Sequence, residues 1–320
     1  MNPANSLRTL LIRAPQAPPV DLHGKNIIVT GAAVGSIGFE TARILASWGA
    51  TVTITTRSNP QVVIDALNAA LADTDSHGVI DAQTLDLAQA SSVAQFADWY
   101  NTAHGGQLDV LINNAGIHLD LLSQWKKPQL TADDFEIHWR TNYLGPAHLT
   151  QRLLPLLQKT AQTSGDARIV NVVSQLHHKG SNAGLFAAPT PYNSWVAYGL
   201  SKLALVHATF EIQRRYAEPS RVQAYCLHPG AVYTNIANKG LAGNPLIESV
   251  RKALAPVESF FLLTPTEGAQ TQVHCASQPD LAGGQYFQKC TPATPSNEAN
   301  NTQAAARLWD ETQAWIKTLS

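Results

Sequence analysis

Ile27-Ile28-Val29-Thr30 runs without a break into Gly31-Ala32-Ala33-Val34-Gly35-Ser36-Ile37-Gly38, and helical periodicity begins at Phe39. A short buried strand that turns through glycines into a helix is the opening of a βαβ unit, and it constrains the fold more than any bulk property. The alternation continues. Phe39 to Trp48 reads as a helix with Gly49 as its C′ residue, and Thr51 to Thr55 as a second, β-branched strand. Further strands are predicted at Asp81 to Leu85, Leu108 to Ile112, Arg168 to Val173 and Val222 to Leu227. Thr131, with Asp134 three residues on, is placed to cap a long helix, and Asn193 or Ser194 to cap another. Thr264-Pro265-Thr266-Glu267 is a further helix start, and Gln303 to Trp315 a last short helix after the turn-rich Pro292 to Asn301. Strands separated by helical stretches predict a doubly wound α/β Rossmann fold. Its parallel sheet should have about seven strands, covered by helices on both faces.

Bulk properties narrow the field. The chain has 320 residues, net charge -1 and only 14% charged residues, against roughly 25% in an average soluble domain. No basic run is present, which argues against a nucleic-acid partner. No apolar stretch approaches the ~18 residues of a membrane span. Residues 1–22 read as an N-terminal extension without a signal-peptide core, and residues 23–320 as a single domain. Cys226, Cys275 and Cys290 are odd in number and have no metal-like spacing, so a reducing, cytoplasmic location is expected.

Glycines between strand and helix let backbone N–H groups approach a dinucleotide pyrophosphate, and Gly31, Gly35 and Gly38 stand there. An NAD site places an acid about 20 residues later, on the ribose hydroxyl. Here the second strand ends in Thr55-Thr56-Arg57-Ser58, with no carboxylate before Asp65. Arg57 offers a guanidinium fork for a 2′-phosphate, which favours NADP(H). Tyr198 has Lys202 four residues on, so both project from one helix face. A neighbouring ammonium is expected to lower the phenol pKa toward working pH and make the pair a proton-transfer device. Glycine turn and pair together suggest hydride chemistry on a carbonyl or alcohol.

From about Leu22 onward the chain resembles the short-chain dehydrogenases/reductases. The resemblance is carried by the glycine turn, Asp86-Leu87, Asn113-Asn114-Ala115-Gly116, Asn142-Tyr143-Leu144-Gly145, Ser174, Tyr198 with Lys202, and Pro229-Gly230-Ala231-Val232-Tyr233-Thr234, in family order. Within the family it looks most like the retinol dehydrogenase and WW-domain oxidoreductase branch. Gly38-Phe39-Glu40-Thr41-Ala42, Arg168 to Val172, His177-His178 and Gly283 to Phe287 point there, and that branch generally prefers NADP(H). The resemblance implies a catalytic set of Asn142, Ser174, Tyr198 and Lys202. It implies cofactor contacts from Gly31, Gly35, Ser36, Ile37, Gly38, Arg57, Asp86, Leu87, Asn114, Ala115, Gly116, Tyr198, Lys202, Pro229, Gly230, Val232 and Thr234. On this reading Tyr198 is the general acid, Ser174 steadies the substrate oxygen, Lys202 bonds the nicotinamide ribose, and Asn142 holds a proton-relay water.

Two departures stand out. Ser36 occupies the place of the middle glycine with one residue inserted, so the turn is expected either to bulge and keep its phosphate donors, with the Ser36 hydroxyl added, or to bind the phosphate more weakly. Val173 replaces the first of two serines after the fifth strand. His177 and His178 lack metal-like companions and are expected in a loop near the substrate mouth, while Trp195 and Leu185-Phe186 line a pocket or pack in the core. A lid over about residues 233–262, with Leu241, Leu246, Ile247, Phe260 and Phe261, suits an apolar aldehyde, ketone or alcohol. The resemblance also implies a homodimer through the helices Thr131 to Lys159 and Asn193 to Glu218. The alternatives are a catalytically silent cofactor sensor or scaffold on the same fold, and a reductase of carbon–carbon double bonds.

Overall fold

The structure, a computed structural model, describes residues 14–74, 77–187, 189–232 and 262–319. Thr234 and nearly all of the expected lid lie outside them. Eight strands form one sheet in the order β3-β2-β1-β4-β5-β6-β7-β8. These are β1 (Asn26–Val29), β2 (Thr51–Thr56), β3 (Ile80–Thr84), β4 (Val110–Asn113), β5 (Ala167–Val172), β6 (Val222–His228), β7 (Gln285–Gln288) and β8 (Thr291–Ala293). The strands pair in parallel as far as β7, and β8 closes the edge antiparallel as the one strand beyond the expected number.

Side chains alternate across the sheet, and the alternation sorts them into two cores. Ile27, Val29, Val110, Ile112 and Val170 pack on one face with α1 (Ile37–Ser47), α2 (Pro60–Leu71) and α7 (Pro265–Ser277). Ile28, Leu111 and Ile169 face the other way, against α3 (Ala90–Ala103) and α4 (Gly145–Ser164), with Ile212 of α6 (Ser194–Ser220). The buried, strongly β-branched strands follow from this double cover. Of the segment before β1, Ala17 and Leu22 are buried, and the Ala17 N–H donates to Gln270 Oε1 at 2.9 Å.

Most predicted caps are present. Asn193 accepts from the Trp195 and Val196 N–H groups, and Thr264 and Glu267 form a reciprocal capping box. Thr131 is a correction. Its hydroxyl bonds Asp133 and the Phe135 carbonyl inside a turn closed by the Leu130–Glu136 bridge, and no helix starts there. The helix begins at Ile137, with Glu136 accepting from the Trp139 N–H, because the short side chain of Thr131 serves its own local turn instead. One helical turn later, Arg140–Leu144 is wound as a π-helix before α4 continues. Asn142 sits in that turn, and π-turns inside helices cluster at functional sites.

The C-terminal helix α8 (Thr302–Lys317) packs along α6. The Tyr143 hydroxyl meets Thr312 Oγ1 at 2.6 Å, and the guanidinium carbons of Arg140 and Arg215 lie over Trp315 and Trp309 at 5.0 and 5.3 Å.

Candidate active site

In an open parallel sheet, ligands bind beyond the carboxyl ends of the strands where the strand order reverses. Here the reversal lies between β1 and β4. The residues following β1, β4, β5 and β6 therefore meet at one crevice, and they include nearly every residue expected from the sequence.

The glycine turn is held from three sides. The Gly31 N–H donates to Thr55 Oγ1 at 3.2 Å, the Ala32 N–H to the Thr55 carbonyl at 2.9 Å, and the Asn114 amide to the Thr30 carbonyl at 2.7 Å. A methyl group on Gly31 would come within 2.8 Å of Ala115, and one on Gly38 within 2.5 Å of the Asn114 amide and 2.8 Å of the Gly31 carbonyl. Both positions must be glycine for the turn to lie against the β4 loop. Gly35 has φ +74 with open space around it, so its requirement is conformational. Ser36 is the N-cap of α1: its Oγ accepts from the Phe39 N–H at 3.1 Å. That bond uses an oxygen lone pair, and the Ser36 O–H, 3.5 Å from the Gly31 carbonyl, remains the donor that the sequence reading assigns to the phosphate. The Ile37 and Gly38 N–H groups at the start of α1 donate to no acceptor among the described residues. Free N–H groups at a helix start are the donors a pyrophosphate needs, so the turn keeps that donor set despite its inserted residue.

Arg57 is exposed just past β2 and has no ion-pair partner among the described residues. Asp86 is half-buried. Its carboxylate accepts from the Ala88 N–H at 2.9 Å and the Gln89 amide at 3.1 Å, which shapes the loop after β3. Leu87 is buried, and its carbonyl accepts from Arg140 at 2.6 Å. Pro229, Gly230 and Val232 follow β6. Gly230 has φ +93, and the loop is pinned to the start of α7 by the Leu263 N–H donating to the Ala231 carbonyl at 2.9 Å.

Tyr198, Lys202, Ser174 and Asn142 converge. The Lys202 ammonium donates to the Val172 carbonyl at 2.9 Å and lies 5.7 Å from the Tyr198 ring centroid. A methyl group on Gly116 would approach Lys202 Nζ to 3.1 Å and Asn142 Oδ1 to 3.4 Å, so glycine leaves the lysine its room. Both ends of the Asn142 amide are engaged. Oδ1 accepts from the Ile117 N–H at 2.8 Å, and the amide donates to the Ile117 carbonyl at 2.9 Å and to Ser201 Oγ at 3.1 Å. Ser174 caps a 3₁₀ turn (Gln175–Lys179), its Oγ accepting from the Leu176 N–H at 3.2 Å.

The expected lowering of the Tyr198 pKa is corrected. Burial around the hydroxyl pushes it up to about 12, and the hydrogen bond with Ser174 pulls only partly the other way. Lys202 is pushed down to about 8 by its own burial. Loss of water is the leading cause at both groups, although Lys202 is buried whereas Tyr198 is half-buried at the crevice.

The profile of the family described as short chain dehydrogenase matches residues 25–244. The chain belongs to the short-chain dehydrogenase family. Retinol dehydrogenase 11 of Homo sapiens is 35% identical over 310 residues, covering 96% of this chain and 90% of that protein. Retinol dehydrogenase 12 of Homo sapiens is 37% identical over 297 residues, covering 91% and 86%. The crystal structure of an uncharacterised protein from Mycobacterium Paratuberculosis superposes with a TM-score of 0.68 at 31% identity, covering 94% of this chain and 98% of that one. The chain is thus an oxidoreductase-family protein of the retinol dehydrogenase branch, in a family that binds nicotinamide cofactors.

This short-chain dehydrogenase also carries a site feature absent from the sequence reading. His118, two residues beyond Gly116, stacks on the Tyr198 ring with centroids 4.2 Å apart and planes 15° apart. Trp195 meets its edge at 4.6 Å. His118 is pushed down to about 4, chiefly by burial and then by neighbouring His138, with Asp120 opposing, and its Nε2 has no hydrogen-bond partner among the described residues. Its place in the loop after β4, on the crevice side, is the signal that could have flagged it. Trp195 lines a cavity of about 650 Å³ with Lys179, Asn193 and Val196. Leu185 and Phe186, on the short helix α5 (Asn182–Phe186), lie elsewhere, packed with the α6 and α8 cluster, and Arg307 covers the Phe186 ring at 3.9 Å. Of the histidine pair on the turn after Ser174, His178 is exposed, whereas His177 is fully buried with both ring nitrogens occupied.

Proposed function

We propose that this protein is an NADP(H)-dependent oxidoreductase. It would interconvert an apolar aldehyde or ketone and the corresponding alcohol, with Tyr198 as general acid and base. The observation that carries the reading is the convergence of Tyr198, Ser174 and Lys202 at the crevice beside a glycine turn whose helix-start N–H groups have no acceptor among the described residues. Bound at that turn, a nicotinamide would supply or accept hydride at the substrate carbon. In reduction the substrate oxygen gathers negative charge, and the Tyr198 O–H gives it a proton. The Ser174 hydroxyl donates to the same oxygen and steadies the developing charge. Lys202, charged at neutral pH even with its pKa near 8, orients the nicotinamide ribose and steadies the phenolate left when the proton has gone to substrate. Asn142 ties the β4 loop to α6 through Ile117 and Ser201, and the relay water is assigned to its π-turn.

Arg57, exposed and partnerless among the described residues, supports NADP(H) over NAD(H). The apolar substrate class is supported by the names of the retinol dehydrogenase relatives and by the aromatic wall of His118, Trp195 and Tyr198. A cytoplasmic setting agrees with three free cysteines, and no helix among the described residues is long and apolar enough to cross a membrane. Self-association, expected through α4 and α6, would have to use the surface that α8 leaves open, and light scattering on the full chain tests it.

The deciding experiment follows NADPH and NADH oxidation with apolar aldehydes and ketones, using Tyr198→Phe as control. NADPH-dependent turnover that the variant loses while still binding NADPH supports the reading. Tight NADPH binding without turnover of any carbonyl compound would favour the silent sensor instead.

A further inference from the structure

The tautomer of His177 follows from its partners. Its Nδ1 lies 2.6 Å from the Ser174 carbonyl, which can only accept, so Nδ1 carries the proton. Its Nε2 lies 2.9 Å from the Ser296 N–H, which can only donate, so Nε2 is a bare acceptor. The ring is fully buried, and Ser296 is buried with it. A neutral imidazole therefore joins two main-chain groups that are far apart in sequence. One belongs to the residue whose hydroxyl faces Tyr198, the other to the turn between β8 and α8. The same turn is tied a second time, because Glu298 Oε2 accepts from the Asn182 N–H at 2.5 Å and the Glu298 carbonyl accepts from the Asn182 amide at 2.9 Å.

Ser174 is the N-cap of the 3₁₀ turn that contains His177. Its carbonyl accepts from both the His177 main-chain N–H, at 3.0 Å, and the ring. Fixing that carbonyl fixes the peptide plane after Ser174, and with it the direction from which Oγ leaves the backbone. The cap bond from Leu176 to Ser174 Oγ is long, at 3.2 Å, so it restrains the hydroxyl weakly by itself.

We propose that His177 is a positioning residue for Ser174: its imidazole holds the Ser174 carbonyl against the Ser296 amide, so that the C-terminal turn sets the aim of the Ser174 hydroxyl at Tyr198. The inference rests on the oxidoreductase reading above, in which Ser174 steadies the reacting oxygen. His177 touches neither substrate nor cofactor in this scheme. Its effect reaches the reaction through Ser174 alone, so it should appear in kcat and leave cofactor affinity untouched.

The test uses full-length His177→Phe and His177→Gln, with NADPH and the best-reduced aldehyde of an apolar panel. Phenylalanine keeps the ring volume and loses both bonds. Glutamine can donate to the Ser174 carbonyl and accept from the Ser296 N–H. His177→Phe should lower kcat roughly tenfold to a hundredfold, the scale expected for a slightly misplaced catalytic group. KM and the NADPH Kd should stay within about twofold, and His177→Gln should recover most of the rate. A His177→Phe enzyme that turns over as fast as wild type would overturn the proposal. So would a loss of kcat that tracks weakened NADPH binding, which would mark a general structural role. Because the phenylalanine variant leaves a buried N–H unpaired, ¹⁵N spectra of the wild-type imidazoles give a second readout independent of folding. They should show a neutral Nδ1–H tautomer whose signal vanishes in His177→Gln, and an Nε2–H or doubly protonated ring would refute the bridge. Wild type that reduces no carbonyl compound with NADPH would remove the reading itself, and the positioning role with it.

Discussion

Four buried histidines should make this protein lose stability in mild acid, well before its carboxylates titrate. His118, His148, His207 and His228 are each pushed down to about 4 from an ordinary value of 6.5, in every case first by burial. Each has one ring nitrogen without a hydrogen-bond partner among the described residues: Nε2 of His118 and Nδ1 of the other three. An added proton there would find no acceptor. Each is a base whose folded-state pKa lies below its unfolded value, so between about 6.5 and 4 the unfolded chain binds more protons. The folded state then loses stability as pH falls through that window. Going from about pH 7 to about pH 5 costs roughly 2 kcal/mol per histidine on these values, or about 7 kcal/mol for four. Local relaxation and water entry reduce such figures, and half of that is still a large share of a typical stability of about 5–15 kcal/mol. Asp133 and Glu136 have carboxyls held below the ordinary range, hydrogen bonds outweighing the burial that pushes them up, so their contribution is lost only at lower pH. Urea unfolding at the two pH values measures the loss directly. His148→Leu, on α4 away from the crevice, should remove about 1–2 kcal/mol of it. A stability that is flat between the two pH values, or a His148→Leu slope equal to wild type, would refute the reasoning.

Three further outcomes are expected. Arg57→Ala should weaken NADPH binding roughly tenfold to a hundredfold, the range for hydrogen bonds to a charged group, and leave NADH binding unchanged in a fluorescence titration. Gly38→Ala should abolish cofactor binding and lower Tm, because its methyl group would sit 2.5 Å from the Asn114 amide and 2.8 Å from a backbone carbonyl. His118→Leu removes the ring stacked on Tyr198, so kcat for the best carbonyl compound should fall about twofold to tenfold, with His118→Phe recovering most of it.

The sequence carried the fold well because the signals that build this sheet are local. Ile27-Ile28-Val29 and Arg168 to Val172 are buried on both faces and could be read as parallel strands without any partner. The capping box at Thr264 and the Asn193 cap are equally local and were legible for the same reason. Thr131 shows where that logic ends. Its hydroxyl had two local uses, a helix cap or a closed turn, and the choice was made by the Leu130–Glu136 bridge. The site was legible wherever a residue type was demanded by backbone geometry, as at Gly31 and Gly38. It was not legible where a role depends on what packs nearby. His118 is anonymous in the sequence until the ring of Tyr198 lies 4.2 Å from it. His177 likewise owes its tautomer to Ser296, whose approach only the completed fold provides.

The Tyr198–Lys202 pair illustrates the same limit in its electrostatics, and the consequence bears on reaction direction. Four-residue spacing guarantees proximity, and proximity alone argues for a lowered phenol pKa. Burial reverses the sign. With Tyr198 pushed up to about 12, nearly all of the enzyme carries the neutral phenol at neutral pH, the form that donates a proton to a carbonyl being reduced. The phenolate needed to accept a proton from an alcohol is rare unless a further positive charge enters the site. An oxidised nicotinamide ring is such a charge, and a reduced one is not. On the proposed mechanism, reduction therefore starts from the prevailing protonation state, whereas oxidation depends on the incoming cofactor to shift the tyrosine. The pH profiles of the two directions should differ accordingly. Reduction should stay level until Lys202 loses its charge near its pKa of about 8, while oxidation should climb with pH across the same range. Parallel profiles in both directions would mean that the tyrosine titrates independently of the cofactor, and that burial does not govern it.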